Sequence, residues 1–399
     1  MSIERADVVV IGAGANGAAI AYHLASKGVR NLLLIEKGAI AAGPTGMSSA
    51  LVRHHYGDSL TAQLARDSLR FFETFDQTLG AHSDFQKCGA ISVGSEVVLD
   101  RLRAMIREHD NLVSPVHDVD THELRALEPE MDLEGMSGGL WESEAGFADP
   151  VGTCAGFVKA AQAKGLRCWF NTTVHDVVLA RGRVAGVRTT RGMVQSDRVV
   201  IAAGPWTLSL VKNLGISLPI TATRHSVVTF LHSGEKRPKH IVFDLDQGMY
   251  LRPEGQRLTL VGSMHSRMES TSAVVDDVVH DPDSFETRPT FELVSNWTEK
   301  FLHRYPQYLG AAVHGGWCGL YDQSRDWHHI IDEAQSAEGC WLVCGTSGHG
   351  FKTSPAVCDA VSDAVLGLSS KYDIRPFGLS RFAETTSLSN QYADVSRPF

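Results

Sequence analysis

Residues 7–36 read DVVVIGAGANGAAIAYHLASKGVRNLLLIE, and the fold class follows from this stretch. The aliphatic run 8–11 suits a short buried strand, residues 18–26 a helix that Gly28 closes, and residues 31–36 a second strand. Between strand and helix lie Gly12, Gly14 and Gly17, spaced G-x-G-x-x-G. Gly12 permits the tight turn, Gly14 lets the backbone approach a pyrophosphate, and Gly17 lets helix and strand pack closely. Ala15 and Asn16, in the same turn, join the expected cofactor-binding set. Glu36 ends the second strand nineteen positions after Gly17, where its carboxylate accepts hydrogen bonds from a ribose diol and disfavours a 2′-phosphate. Lys37 follows it. The fingerprint fits NAD and FAD equally.

The chain has 399 residues, 43% of them hydrophobic and 21% charged, with a formal net charge of −9. That is room for two intertwined domains. The net negative charge gives no reason to expect nucleic acid or an acidic membrane as partner. Seven cysteines, without a C-x-x-C pair, argue against a disulfide framework or zinc site and for reduced thiols in a cytoplasm; no metal is expected. Residues 8–26 carry no Lys, Arg, Asp or Glu, but glycines, Asn16, Tyr22 and His23 interrupt them. They read as strand, turn and helix rather than as leader or membrane span.

Further along, residues 59–79 carry an apolar stripe at helical spacing, 88–95 read as a strand, and 96–109 as a charged, exposed helix. Asp149 and Pro150 supply a cap and first-turn proline for a helix beginning there. Residues 166–204 are rich in strands. Pro205 and Trp206 end the last of these beside Gly204, where the backbone can approach a cofactor; Trp206 suits the core equally. Residues 221–265 alternate apolar and polar, the pattern of an antiparallel sheet with one wet face. The loop 37–58, KGAIAAGPTGMSSALVRHHYGD, is built of small residues and includes Ser48 and Ser49, so an extended cofactor could lie along it. Near the C-terminus, TSGHGFKTSP (346–355) places Lys352 beside Gly348 and Gly350. Ser354 and Pro355 resemble a helix start, which attracts negative charge.

The opening fingerprint, SSALVRHHYGD (48–58), VVIAAGPW (199–206) and CGTSGHGFK (344–352) occur in an order that resembles the D-amino-acid oxidase superfamily of FAD flavoproteins. Within it, the chain is most similar to the sarcosine oxidase and secondary amino acid dehydrogenase group. The resemblance spans almost the whole chain and is weakest over 225–310. It implies an α/β architecture: a Rossmann-like FAD-binding domain (1–87, 148–220 and 316–390), an inserted, mainly antiparallel β substrate domain (88–147 and 221–315), and a tail (391–399). It also implies an FAD-dependent amino acid or amine oxidoreductase acting on CH–NH donors. Hydride would pass from a carbon next to nitrogen to flavin N5, leaving an imine that hydrolyses. By position, Arg53 and Lys352 match the residues that grip the substrate carboxylate, and Tyr321 matches a pocket tyrosine, with Tyr250 a second candidate. Val174 matches a backbone contact to the cofactor. Gly348, His349, Gly350, Phe351 and Lys352 would face the pyrimidine end of the flavin. His54 and His55 follow Arg53 and are candidates for tuning amine protonation, or for packing.

Two departures from the family pattern matter. Relatives that bind flavin covalently use a cysteine where this chain has Gly319, one place beyond Cys318, or a histidine where it has Met47; non-covalent FAD is therefore expected. Oxidases of the group carry a lysine near flavin N5 where LTLVGSMH (258–265) places Leu260. That favours a dehydrogenase passing electrons to a quinone, a carrier protein or another subunit. An oxygen-using amine oxidase, a flavin subunit of a larger electron-transfer complex and a nicotinamide dehydrogenase remain alternatives, and homo- or hetero-oligomeric assembly stays open.

Overall fold

The computed structural model describes residues 4–109, 116–232, 237–264 and 278–383. The expected tail (391–399) and residues 384–390 of the expected FAD-binding segment lie outside these.

The opening stretch folds as read. Strand Val8–Ile11 passes through helix Ala15–Ser26 into strand Leu32–Ile35, and the two strands pair in parallel, Val9 opposite Leu33. Every residue of both strands is buried, as a sheet covered on both faces requires. On its other side Val8–Ile11 pairs in parallel with Val199–Ile201, which pairs with Cys340–Cys344. Arg167–Trp169 and Ile330–Glu333 complete a six-stranded sheet; only Ile330–Glu333 runs antiparallel. The chain leaves Val8–Ile11 towards one side and returns on the other, so a crevice opens at the C-terminal ends of these strands.

A second sheet has eight strands in the order Ala312–Ser324, Ile220–Leu231, Leu258–Ser263, Met249–Glu254, Ile241–Asp244, Ala90–Gly94, Gly138–Glu142, His117–Val119. All neighbours are antiparallel except Ile241–Asp244 with Ala90–Gly94. Its expected wet face is absent: no residue of Ile220–Leu231, Met249–Glu254 or Leu258–Ser263 is exposed. Helix Phe291–Arg304 covers one face, its Trp297 and Phe301 packing with Val228, Phe230, Leu251 and Val261. The other face turns inward, and its polar residues find partners there. Arg252 Nε, for example, donates to Ser49 O at 2.9 Å.

Helix Ser59–Leu79 and the Asp149 cap of helix Pro150–Gln162 appear where the sequence placed them, with Asp149 Oδ1 accepting from Val151 N at 2.9 Å. Helix Glu96–His109 is less exposed than expected, because Val98, Leu99 and Leu102 are buried. The C-terminal helix begins at Gly350, not at Ser354, and runs to Leu366 with Pro355 inside it. Pro355 has no N–H for the Phe351 carbonyl four residues back. The Ser354 hydroxyl donates to that carbonyl instead, at 3.0 Å. Among the described residues no helix is long and apolar enough to cross a membrane.

Candidate active site

A cavity of about 570 Å³ lies between the crevice of the parallel sheet and the inner face of the large sheet. Backbone approach shapes its floor. Gly12 has φ +101°, and a Cβ there would sit 2.4 Å from Ala202 O. Gly12, Gly14, Ala15 and Asn16 line the cavity; Gly17 does not, since it packs behind the turn, where a Cβ would sit 1.9 Å from Gly12 O. Helix Ala15–Ser26 has no side-chain cap and no acidic residue in its first turn. The same holds for helix Gly350–Leu366, whose Gly350 and Phe351 also line the cavity. A Cβ on Gly350 would meet Asn16 Nδ2 at 3.2 Å, so the two helix starts adjoin. Two uncapped N-termini facing one space form a site for a ligand carrying more than one anionic group.

Glu36 lines the cavity and also ties the turn together. Its Oε2 accepts from Ala13 N and its Oε1 from Gly38 N, both at 2.8 Å. Lone pairs remain on both oxygens for a diol. Glu36→Ala is expected to weaken FAD binding by about tenfold to a hundredfold, since two backbone donors lose their partner together with the ligand contact; fluorescence titration of the apoprotein measures this. Lys37 also lines the cavity. Its Nζ lies 3.6 Å from the Trp206 ring centroid and pairs with Asp283, which accepts from Trp206 Nε1 at 2.9 Å. Trp206 thus stands in the cavity wall, with Ser48, Ser49, Val174 and Gly204.

Arg53 and Lys352, 299 positions apart in sequence, both face the cavity and are 8% and 9% exposed. Arg53 lies 4.9 Å from the Phe243 ring centroid and 5.2 Å from that of Tyr56, and its Nη1 donates to His55 O at 2.8 Å. Lys352 Nζ donates to Gly348 O at 3.1 Å. Burial, reinforced by Arg53 and opposed by Glu142, pulls the Lys352 ammonium down to about 7. Burial raises the Glu142 carboxyl, but His54, His55 and Arg53 outweigh it and hold this group below its ordinary range.

Glu142 is a residue that sequence reasoning missed, for it sits in WESEAGF with no motif around it. It is 3% exposed, and its Oε2 accepts from His54 N at 3.1 Å and His55 N at 3.2 Å. The same geometry favours packing over amine tuning for His54 and His55: neither lines the cavity, and both are buried beside Glu142. His349 does line it, with Nδ1 3.0 Å from Tyr56 Oη, and burial followed by the field of Lys352 pushes its imidazole well below the usual range. Tyr321 is in the wall, stacked on His225 with centroids 3.7 Å apart, and packs so close to Gly348 that a Cβ there would fall 2.5 Å from its ring. Tyr250 is in the wall too, its hydroxyl bonded to Ser49 Oγ.

Leu260 is not where the resemblance to the oxidases implied. It is 1% exposed, in a cluster with Tyr250, Phe243 and Val227 behind the wall. Strand Leu258–Ser263 meets the cavity through Ser263, with Met264 after it. Cys318 is fully buried and does not line the cavity. A Cβ on Gly319 would lie 3.1 Å from Met47 Cβ, so the two positions that relatives use for covalent attachment touch one another here.

A family model described as DAO, FAD dependent oxidoreductase, matches residues 7–364. The 4-methylaminobutanoate oxidase (formaldehyde-forming) of Paenarthrobacter nicotinovorans is 26% identical over 395 residues, 94% of this chain and 45% of its own length. Mitochondrial sarcosine dehydrogenase of Homo sapiens is 25% identical, over 95% of this chain and 42% of its own length. The chain thus spans under half of either protein. N-methyl-L-tryptophan oxidase of Salmonella enteritidis is 25% identical over 95% of this chain and 99% of its own length. Among solved structures, L-proline dehydrogenase from P. horikoshii superposes with a TM-score of 0.87 at 21% identity, covering 96% of this chain and 99% of that one.

Proposed function

Since the chain belongs to the DAO family of FAD-dependent oxidoreductases, we propose that it oxidises a secondary or N-alkyl amino acid at the carbon beside nitrogen, giving an imine that water hydrolyses. One observation carries this reading: two buried cations, Arg53 and Lys352, share a cavity wall. Buried cations call for an anion, and a carboxylate fits the planar fork of Arg53 with the Lys352 ammonium beside it. Relatives named for N-methyl amino acids support the same class.

Glycine-lined backbone, both helix starts and Glu36 would hold FAD, which supplies the two-electron acceptor. The residues of the chain hold and orient the substrate. Arg53 and Lys352 fix the carboxylate, and Phe243, Tyr250 and Tyr321 wall the space around the amine and its alkyl group. Glu142 offsets the two cations and braces the 53–55 turn through its backbone hydrogen bonds. Fixing one end of the substrate selects the C–H that faces the acceptor, a contribution of position rather than of acid or base. We assign the parallel sheet to the cofactor and the eight-stranded sheet to the substrate.

A panel of amino acids mixed anaerobically with the purified holoprotein tests the reading through loss of the yellow flavin band. Bleaching is expected with N-methyl or cyclic amino acids at concentrations at least about tenfold below those that the same amines lacking a carboxylate require. Equal bleaching by the decarboxylated amines would remove the clamp from the account.

We further propose non-covalent FAD and a dehydrogenase habit. Met47 and Gly319 supply no attaching nucleophile, and Cys318 points into the core. Acid precipitation is expected to leave the yellow colour in the supernatant rather than in the pellet. Among the described residues, strand Leu258–Ser263 contributes no cation to the wall that would assist oxygen reduction electrostatically. Stopped-flow reoxidation is therefore expected to be faster with an artificial quinone than with air. Seven cysteines, none of them in a disulfide, suit a reducing cytoplasm.

A further inference from the structure

Asp322 has no task in the reading above, yet it is 5% exposed and stands in the cavity wall. It follows Tyr321 on strand Ala312–Ser324, so its side chain leaves the opposite face of the strand. Oδ1 accepts from the Thr346 hydroxyl at 2.8 Å. Oδ2 is buried and has no hydrogen-bond partner among the described residues. Native proteins rarely leave such an atom unsatisfied unless something bound completes it.

Its surroundings place Asp322 with the cofactor rather than the substrate. The charges acting on Lys352 are those of Arg53 and Glu142. Asp322 instead adjoins Thr346, whose Oγ1 would lie 2.8 Å from a Cβ on Gly350, the glycine that also adjoins Asn16. The two uncapped helix starts meet at that point. Burial pushes the Asp322 carboxyl up, against the pull of the Thr346 hydroxyl and nearby backbone N–H groups. The neighbouring Cys344 thiol is likewise pushed up by burial and stays neutral.

We propose that Asp322 is a further cofactor-contact residue, whose Oδ2 carries a proton and donates a hydrogen bond to an acceptor atom of the bound flavin. This rests on FAD binding and is independent of which amine is oxidised. An ionised carboxylate here would repel the electron-rich reduced cofactor, whereas a neutral acid stabilises it, adding a side-chain donor to the backbone donors of helix Gly350–Leu366.

The test compares the holoprotein with Asp322→Asn, which keeps a neutral donor, and Asp322→Leu, which removes it. Sulfite, which adds to electron-poor flavins, is the probe, and its dissociation constant is read from the visible spectrum. Asp322→Asn is expected to stay within about threefold of the parent, and Asp322→Leu to weaken sulfite binding by about tenfold or more. Infrared spectra should show a protonated-carboxyl carbonyl band in the parent that Asp322→Asn lacks. Sulfite binding that tightens beyond threefold in Asp322→Asn would show an ionised carboxylate and overturn the proposal. Unchanged binding in Asp322→Leu would overturn the contact. If Asp322→Leu fails to hold FAD, the infrared band of the parent decides, and its absence is fatal to the idea.

Discussion

Arg53→Ala is expected to raise KM for a carboxylate-bearing substrate by about 10²–10³, with the flavin still bound and its visible spectrum intact. The size follows from removing one partner of a buried, charge-assisted hydrogen-bonded pair, a loss of about 2–5 kcal/mol. Retention of flavin is expected because Arg53 sits with Phe243 and Tyr56, away from the turn that Glu36 ties together. Steady-state kinetics on an amino acid and on its decarboxylated amine separate the roles: only the acid should suffer. A KM for the acid within threefold of the parent would refute the clamp. Arg53→Lys should recover only part of the loss, since a single ammonium cannot make the two-pronged contact.

Lys352→Met is expected to cost about ten- to a hundredfold in kcat/KM at pH 6, the worth of one hydrogen bond to a charged group, and to change the pH profile. With its ammonium drawn down to about 7, Lys352 is charged below that pH and neutral above it. Substrate affinity should therefore fall as pH rises through about 7 in the parent, and this limb should vanish in Lys352→Met. Arg53 is one cause of the depression, so the limb should move to higher pH in Arg53→Ala. The stability sign is opposite. A lysine depressed in the folded state binds fewer protons there than in the unfolded chain between about 7 and its ordinary value, so its unfavourable contribution is full below 7 and fades as pH rises. Lys352→Met should accordingly raise the melting temperature of the apoprotein at pH 6 while impairing catalysis. A lower melting temperature, or a parent KM flat from pH 6 to 8.5, would contradict the assignment.

Local features of the sequence were legible where local rules decide structure. The glycine spacing of residues 12–17, the Asp149 cap and the stripe of residues 59–79 need only neighbouring residues to be interpreted. That Arg53 and Lys352 meet was legible only through resemblance, since nothing in their own surroundings links positions 299 apart. The remaining differences came from long-range packing. Alternation in 221–265 marked strands correctly but not a wet face, because helix Phe291–Arg304 covers one side and the cavity region takes up the other. Pro355 looked like a helix start because the Ser354 hydroxyl that replaces its missing bond cannot be foreseen. Glu142 and Asp322 sit in stretches without motifs, and only the fold shows that one is flanked by cations and the other has a bare oxygen.

The parallel sheet has a consequence for biosynthesis. Its strand Val8–Ile11 is made well before Cys340–Cys344 and the helix start at Gly350, which emerge only after more than three hundred further residues. Until then Val199–Ile201 exposes an apolar edge ready to pair with another nascent chain, and the second helix start does not yet exist. Loading of the prosthetic group is therefore expected only after the second helix start has been made, and a chain cut short before residue 340 should yield a sticky half-sheet instead of a weaker flavoprotein.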